Sequence, residues 1–461
     1  MIDRIKKNMF DFLSLLYGAL PFYIRYGRQY RKMLQLLEDT EYWDREKLNQ
    51  YQFEELKKII EHAFLNVPYY KRMFNEKNLL PSDINSPDDF TKIPFLTKQI
   101  IKDNIKHLTA NNMPDNRKAY LTTGGSTGIP MGFYFEKGVT NIKELAYFVN
   151  LWKRVGFKVG DKSAVIRGDV IQVTGNKFWM YDYLMKNLCF SSYHMTDQNL
   201  PFYIERIKHF QPKFIQAYPS AISIFADYLI KNNMINPFPS VRAILCGSEN
   251  IYDGQRKLIE KAFGCRVFSW YGHAEKSVLA GECEYSSDLH LFPQYGYTEL
   301  VDSSGNLITE EGKMGEIVCT GFNNYAMPFI RYKTMDLGYW SKGNCRCHRH
   351  YLRLKKVEGR LQELIVSQSG RLISMVAINM HSDVFDNVKQ FQFYQDKKGV
   401  VVFNIVKESS YEEKDTKNIY NELKKKLGTD MKLEIKFVND IPRTKSGKYR
   451  FLIQKIAIKN F

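Results

Sequence analysis

Cysteine is scarce in this sequence: there are seven in 461 residues, Cys189, Cys246, Cys265, Cys283, Cys319, Cys345 and Cys347. The odd number and irregular spacing exclude a disulfide framework and point to free thiols in a reducing compartment. No internal repeat and no low-complexity linker interrupts the chain, which rules out repeat architectures. Long apolar runs are missing near the start. Residues 10–24 are too short and too broken by polar positions for a membrane span. No small-residue cleavage site accompanies them, so a secretory signal is not expected. The formal net charge is +17, yet no RNA-binding aromatic signature, zinc-finger pattern or recognition-helix pair goes with it. Nucleic acid is therefore not an expected partner.

What is present is the composition of a globular protein, 44% hydrophobic and 25% charged, and long enough for two or three domains. Aromatic residues make up 14% and allow large cores or pockets for flat ligands. Residues 1–33 carry seven basic side chains against two acidic ones. Two readings of that segment stand side by side. It lies on an anionic membrane surface, at the inner face of the membrane of an otherwise cytoplasmic protein, or it is a helix capping the main domain.

Hydrophobic periodicity sets out the elements. Residues 1–80 read as helices packing on the main domain; Lys57 to Phe64 places its apolar residues on one face. A helix over 221–230, a buried strand over 241–246, a helix over 253–262 and a strand over 266–270 give a β–α–β alternation. That pattern predicts an α/β domain with parallel strands. Residues 290–340 change to short strands and turns, a β subdomain. Near the end, Met431 to Phe437 alternates strictly and follows a helix with Ile419, Leu423 and Leu427 on one face. With strands at 391–393 and 400–406, this forms a small α+β domain. The expected division is a helical segment at 1–80, a large domain at 81–358 and a small domain at 359–461.

The segment from Leu121 to Gly132, LTTGGSTGIPMG, holds four glycines and four hydroxyl side chains in twelve residues. Glycines bring backbone N–H groups close to a ligand, and hydroxyls donate to anionic oxygens without fixed charge. This is the chemistry of a polyphosphate loop; an ordinary Gly-rich turn between strands is the alternative. It is not a Walker loop, because Ile129 rather than lysine follows Gly128. Further along come Gly247-Ser248-Glu249, Tyr271-Gly272-His273-Ala274-Glu275, the segment from Arg331 to Asp336, Glu358-Gly359-Arg360, and the basic stretch from Pro442 to Arg450. Glu275 follows a strand, where a carboxylate can hold Mg²⁺ beside phosphates. Asp336 can accept from two ribose hydroxyls.

In this order the segments resemble the adenylate-forming enzymes, which include acyl-CoA synthetases, peptide-synthetase adenylation domains and luciferases. Within them the phenylacetate–CoA ligase and CapK-like branch is most similar, over roughly residues 85–461. The resemblance implies an α/β fold: a large N-terminal domain with a β subdomain and a small mobile C-terminal α+β domain. It implies that Thr122, Thr123, Gly124, Gly125, Ser126, Thr127 and Gly128 face the pyrophosphate end of ATP. Gly247, Ser248 and Glu249 look like the adenine-side segment. Tyr271 with Gly272 looks like the adenine-stacking position, and Asp336 and Arg360 like the ribose pair. Lys448, Glu275 and Thr127 would carry catalysis, with Glu275 as the Mg²⁺ ligand and Lys448 as the family's C-terminal lysine. Tyr218 and His273 fall in the substrate pocket. The implied reaction joins a carboxylate to AMP and passes the acyl group to a thiol, in this branch usually coenzyme A. A CapK-like enzyme of polysaccharide synthesis acylating another acceptor is the second reading, and a degenerate scaffold the third. Two positions depart from the family pattern: Gln362 stands at the hinge, and Met335 replaces the glycine before Asp336.

Cys283, His290 and the Cys345-x-Cys347 pair offer three thiolates and an imidazole, the donor set of a closed structural Zn²⁺ site. Similar spacing occurs in CapK-like sequences. Here His348 and His350 flank the pair, so a histidine is an alternative ligand.

Overall fold

The computed structural model describes residues 16–18, 20–122, 131–167, 171, 175–192, 194–251, 253–360, 364–370, 372–374, 378, 383–385, 387–443 and 450–456. The chain folds into two compact units. One gathers residues 1–161, 182–187 and 268–356; the other gathers 162–181, 188–267 and 357–461.

In the first unit the expected helices are Gly27–Asp39, Arg45–Asn66 and Pro68–Glu76. Asp44 caps the second by accepting from the Lys47 N–H, and Pro68 opens the third, where its missing N–H costs nothing. Gly27–Asp39 buries Tyr30, Met33 and Leu37 and packs against the helix Thr140–Lys153. Arg25 donates to the Leu184 carbonyl at 2.6 Å, so the end of the basic segment is docked, while Leu16, Leu20 and Ile24 are exposed. Among the described residues no helix is long and apolar enough to cross a membrane.

The β subdomain is an antiparallel run. Gly296–Val301, Gly315–Gly321 and Tyr332–Ser341 pair in turn, followed by Arg353–Arg360, Leu289–Leu291, Leu279–Gly281 and Arg266–Gly272. Gly296 and Gly321 face each other across one ladder. A Cβ on Gly296 would lie 2.6 Å from the Ser277 carbonyl oxygen, and one on Gly321 2.9 Å from the Ser277 Cα. Two side-chain-free positions thus let the turn at residues 275–277 rest directly on the sheet.

In the second unit the predicted alternation appears as parallel strands. Ser163–Arg167, Phe214–Ala217 and Ala243–Cys246 pair in parallel, with the helix Pro219–Lys231 crossing between the last two. Every residue of Phe214–Ala217 and Ala243–Cys246 is buried, as parallel strands covered on both faces require. Phe225, Phe238 and Phe263 pack in the core beneath the helices Pro219–Lys231 and Asp253–Phe263. The C-terminal part carries a four-stranded sheet in the order Lys432–Phe437, Val400–Lys407, Val388–Lys397, Leu452–Gln454. The helix Glu413–Leu427 buries Ile419, Leu423 and Leu427 against it, the face read from the sequence.

Candidate functional site

The Gly-rich segment leaves one strand of a hairpin and enters the other. Lys118–Thr122 pairs antiparallel with Gly132–Glu136, and Thr122 stands opposite Gly132. Both ends of the loop are therefore pinned one ladder rung apart. Thr123, Gly124, Gly125, Ser126, Thr127 and Gly128 lie outside the described residues. The hairpin is docked: Phe133 is buried against Phe329, and the Asn324 amide donates to the Tyr134 carbonyl at 2.8 Å.

The strand Arg266–Gly272 delivers Tyr271 and then turns, with the Lys276 N–H donating to the His273 carbonyl at 3.1 Å. The turn turns Glu275 inward until it is only 7% exposed. Its Oε1 accepts from the Tyr332 hydroxyl at 2.8 Å, and its Oε2 lies 3.3 Å from His273 Nδ1. Burial alone would push this carboxyl up. The facing His273, with Lys98 and the Tyr332 hydrogen bond, outweighs it and holds the carboxyl well below the usual carboxylate range. Glu275 is thus a charged carboxylate in a nearly dry setting, the state a divalent cation requires of a ligand.

Tyr271 donates from its hydroxyl to Asp336 Oδ2 at 2.7 Å, joining two segments 65 residues apart. Burial first, and the Asp336 charge second, push the Tyr271 phenol well up, so it stays a donor. Asp336 sits on Tyr332–Ser341 one residue after Met335, whose φ is +69°. The Met335 N–H is held by Glu316 Oε1 at 3.0 Å. The glycine that methionine replaces in the family pattern is the residue this left-handed backbone favours. The sequence had shown the departure; the backbone shows what it costs.

In the second unit Gly247-Ser248-Glu249 meets the start of the helix that follows Tyr218. Glu249 accepts from the Ser220 N–H at 2.9 Å and from the Ser220 hydroxyl at 3.1 Å. Ser220 lies in the first turn of Pro219–Lys231, directly after Tyr218, so the carboxylate anchors the positive end of that helix. Ser248 takes a φ of +69° to place it. Arg360 ends the strand Arg353–Arg360; its side chain, like the whole of Gln362 and Lys448, lies outside the described residues.

Cys283, His290, Cys345 and Cys347 converge, with all four ligand atoms within 4.8 Å of one another. Cys283 and Cys345 Sγ are 3.5 Å apart, and Cys347 Sγ is 3.3 Å from His290 Nε2. A tetrahedral site with Zn–S near ~2.3 Å and Zn–N near ~2.0 Å has ligand–ligand edges of roughly 3.5–3.8 Å, so the four atoms stand close to that spacing before any ion is added. His290 Nδ1 faces the Asp288 carbonyl at 3.1 Å, which fixes Nε2 as the lone-pair nitrogen. The Tyr285 N–H donates to Cys283 Sγ at 3.4 Å. His348 and His350 are not members of this group. Beside the group, Arg349 reaches Glu284 at 2.7 and 2.9 Å and Glu41 at 2.8 Å, tying this part of the β subdomain to the turn between the helices Gly27–Asp39 and Arg45–Asn66.

Several side chains of these sites were not singled out from sequence. Tyr332 lies inside the segment from Arg331 to Asp336, and its place four residues before the aspartate is the available signal. Ser220 is one of many serines at a helix start. Cys319 Sγ lies 3.7 Å from His273 Nε2, a contact nothing in its surrounding sequence marks.

The chain is similar to known proteins along its length. A family model described as the CapK C-terminal domain matches residues 365–455. Over 438 residues the chain is 27% identical to Protein CapK of Staphylococcus aureus, spanning 94% of each. It is 26% identical over 342 residues to the phenylacetate-coenzyme A ligase of Pseudomonas putida, 72% of this chain and 74% of that one. Among solved structures, 2-hydroxyisobutyryl-CoA ligase in the postadenylation state, in complex with R3-HIB-AMP, superposes with a TM-score of 0.71. That match is 18% identical and covers 90% of this chain and 91% of the other. It speaks for a shared fold.

Met335→Gly should raise thermal stability, by about 1 kcal/mol net of the greater freedom of glycine in the unfolded chain. Thermal denaturation of the two proteins side by side checks this; a lower Tm for the glycine variant would show that the methionine side chain contributes more than its backbone costs.

Proposed function

This chain belongs to the adenylate-forming superfamily, in its CapK and phenylacetate–CoA ligase branch, and from that premise we propose that it activates a carboxylic acid with ATP and transfers the acyl group to a thiol. The observation that carries the reading is the meeting of Tyr271, Glu275 and Asp336. Two separate strands bring together an aromatic ring, a charged buried carboxylate and a second carboxylate bound by that ring's hydroxyl.

In the first half-reaction a carboxylate oxygen attacks the α-phosphorus of ATP, and the bond to the bridging oxygen of pyrophosphate breaks. Glu275 would hold Mg²⁺, which supplies charge stabilisation on the phosphoryl oxygens. Tyr332 and His273 keep that carboxylate ionised and oriented. Thr123, Ser126 and Thr127 with the backbone of Gly124, Gly125 and Gly128 would donate to the departing pyrophosphate. Tyr271 would face the adenine, and Asp336 and Arg360 would accept from and donate to the ribose hydroxyls. Lys448 would stabilise the developing charge. In the second half-reaction a thiol sulfur attacks the acyl carbon and AMP leaves with the former carboxylate oxygen. Coenzyme A is the thiol this reading favours.

A second acceptor is favoured by a specific observation. The match to Protein CapK extends over 94% of both chains, whereas the match to the phenylacetate-coenzyme A ligase stops at 72% of this one. That supports a CapK-like enzyme, and in this second reading the acyl acceptor would be a non-CoA group in polysaccharide synthesis.

The Cys283, His290, Cys345 and Cys347 tetrad would bind one structural Zn²⁺; with four protein ligands it leaves no open position for catalysis.

Pyrophosphate release over a panel of carboxylic acids, with and without coenzyme A, tests the function. Acid-dependent release stimulated by coenzyme A supports the ligase; acid-dependent release indifferent to it supports the other acceptor; no release with any acid opposes both. Lys448→Ala should abolish pyrophosphate release while leaving thiolysis of a supplied acyl-adenylate largely intact, and equal loss of both halves would remove Lys448 from its role. Elemental analysis should find one zinc per chain, and Cys347→Ser should lower that content by at least tenfold at limiting zinc; metal well below one per chain in the wild type rejects the site.

A further inference from the structure

The residue directly after Glu275 is a lysine with its ammonium in the interior. Lys276 is 8% exposed and has a φ of +56°, a left-handed backbone without glycine. Its Nζ is paired with Glu144 Oε2. Glu144 belongs to the helix Thr140–Lys153, which follows the Gly-rich hairpin in the chain, and its Oε1 accepts from the Tyr295 hydroxyl at 3.3 Å. The same ammonium stands 5.9 Å from the centre of the Phe135 ring, on the strand that leaves the Gly-rich segment. From below, the Gly296 and Gly321 pair presses on Lys276 and Ser277: a Cβ on Gly321 would lie 3.0 Å from the Lys276 carbonyl oxygen. A solvated lysine needs none of this. A buried ion pair contributes little net stability against an apolar replacement, so its value lies in fixing geometry.

We propose that Lys276 is a positioning residue: paired with Glu144 and set against Phe135, it fastens the turn that carries Glu275 to the helix and strand leaving the phosphate loop. The metal-holding carboxylate and the phosphate-binding hairpin are then one rigid piece. The proposal rests on the reading of Glu275 as the Mg²⁺ ligand. Its stiffening claim concerns the protein without ligands and is measurable separately.

The experiment compares wild type with Lys276→Met, Lys276→Arg and the double variant Lys276→Met/Glu144→Leu, which strands no buried charge. Two quantities are read: the Mg²⁺ concentration giving half-maximal ATP–pyrophosphate exchange, and amide hydrogen exchange of residues 132–136 and 271–277 in the ligand-free protein. Loss of a hydrogen-bonded outer partner of a metal ligand weakens metal binding by roughly 10–100-fold, and Lys276, which is joined to Glu275 through the backbone only, belongs at the low end of that range. Both methionine variants should therefore need about tenfold more Mg²⁺ and exchange faster at both segments, with thiolysis of supplied acyl-adenylate unchanged. Arginine should restore most of the Mg²⁺ response. An unchanged Mg²⁺ requirement together with unchanged exchange in the double variant overturns the proposal, as does faster exchange spread over the whole chain. If the wild type itself shows no Mg²⁺-dependent exchange with any acid, the functional reading fails, and the hydrogen-exchange arm alone decides whether Lys276 couples the two segments.

Discussion

A carboxylate that remains charged while almost wholly buried organises this molecule. Removing Glu275 from water would by itself favour its neutral form, and the surrounding groups are arranged to prevent that. Tyr332 donates one hydrogen bond, His273 faces the second oxygen, and Lys98 adds a cation. Each comes from a different part of the chain. To hold them in register, the strand Arg266–Gly272 must end where it does, the turn must reverse sharply, and Tyr332–Ser341, which is not its neighbour in the sheet, must present Tyr332 to that turn. The glycines at 296 and 321 are part of the same requirement, since a side chain at either would lift the turn off the sheet.

Around that point the chemistry divides between backbone and side chains. The Gly-rich hairpin offers hydroxyls and N–H groups but no cation, and its ends are fixed at Thr122 and Gly132. Tyr271 and Asp336 are preset by a hydrogen bond in which the tyrosine must stay protonated. The Cys283–His290–Cys345–Cys347 group does a different kind of work. It draws four side chains of the β subdomain together, and beside it Arg349, bound to Glu284 and Glu41, links that subdomain to the turn between the helices Gly27–Asp39 and Arg45–Asn66.

Much of this was legible in the sequence where a local pattern has one physical cause. The spacing of Ile419, Leu423 and Leu427 specifies one buried face, and all three are buried; of the alternating residues 431–437, Met431 and Leu433 are buried, Ile435 is half-buried, and Phe437 at the strand's end is exposed. The spacing of Cys283, His290, Cys345 and Cys347 named four ligands that do converge. The order of the motifs carried a resemblance that the similarity to Protein CapK and to the phenylacetate-coenzyme A ligase bears out. What could not be read were the partners supplied by tertiary contact. Glu144 is one charged residue on an amphipathic helix, and nothing within its own turn distinguishes it from a solvated one. Tyr332 and Ser220 likewise gain their roles only when a distant carboxylate arrives. The departure at Met335 was visible as a residue type, whereas its left-handed backbone is a property of the folded strand.

Oxygen transfer tests the central claim most directly. With a carboxylic acid labelled with ¹⁸O in the carboxylate, adenylation followed by thiolysis must leave one labelled oxygen in AMP, because the carboxylate oxygen that attacks phosphorus departs with it. Mass spectrometry of the product nucleotide should find AMP carrying one ¹⁸O per turnover. Unlabelled AMP, or ADP as the product, would contradict an acyl-adenylate intermediate and with it the role assigned to Glu275.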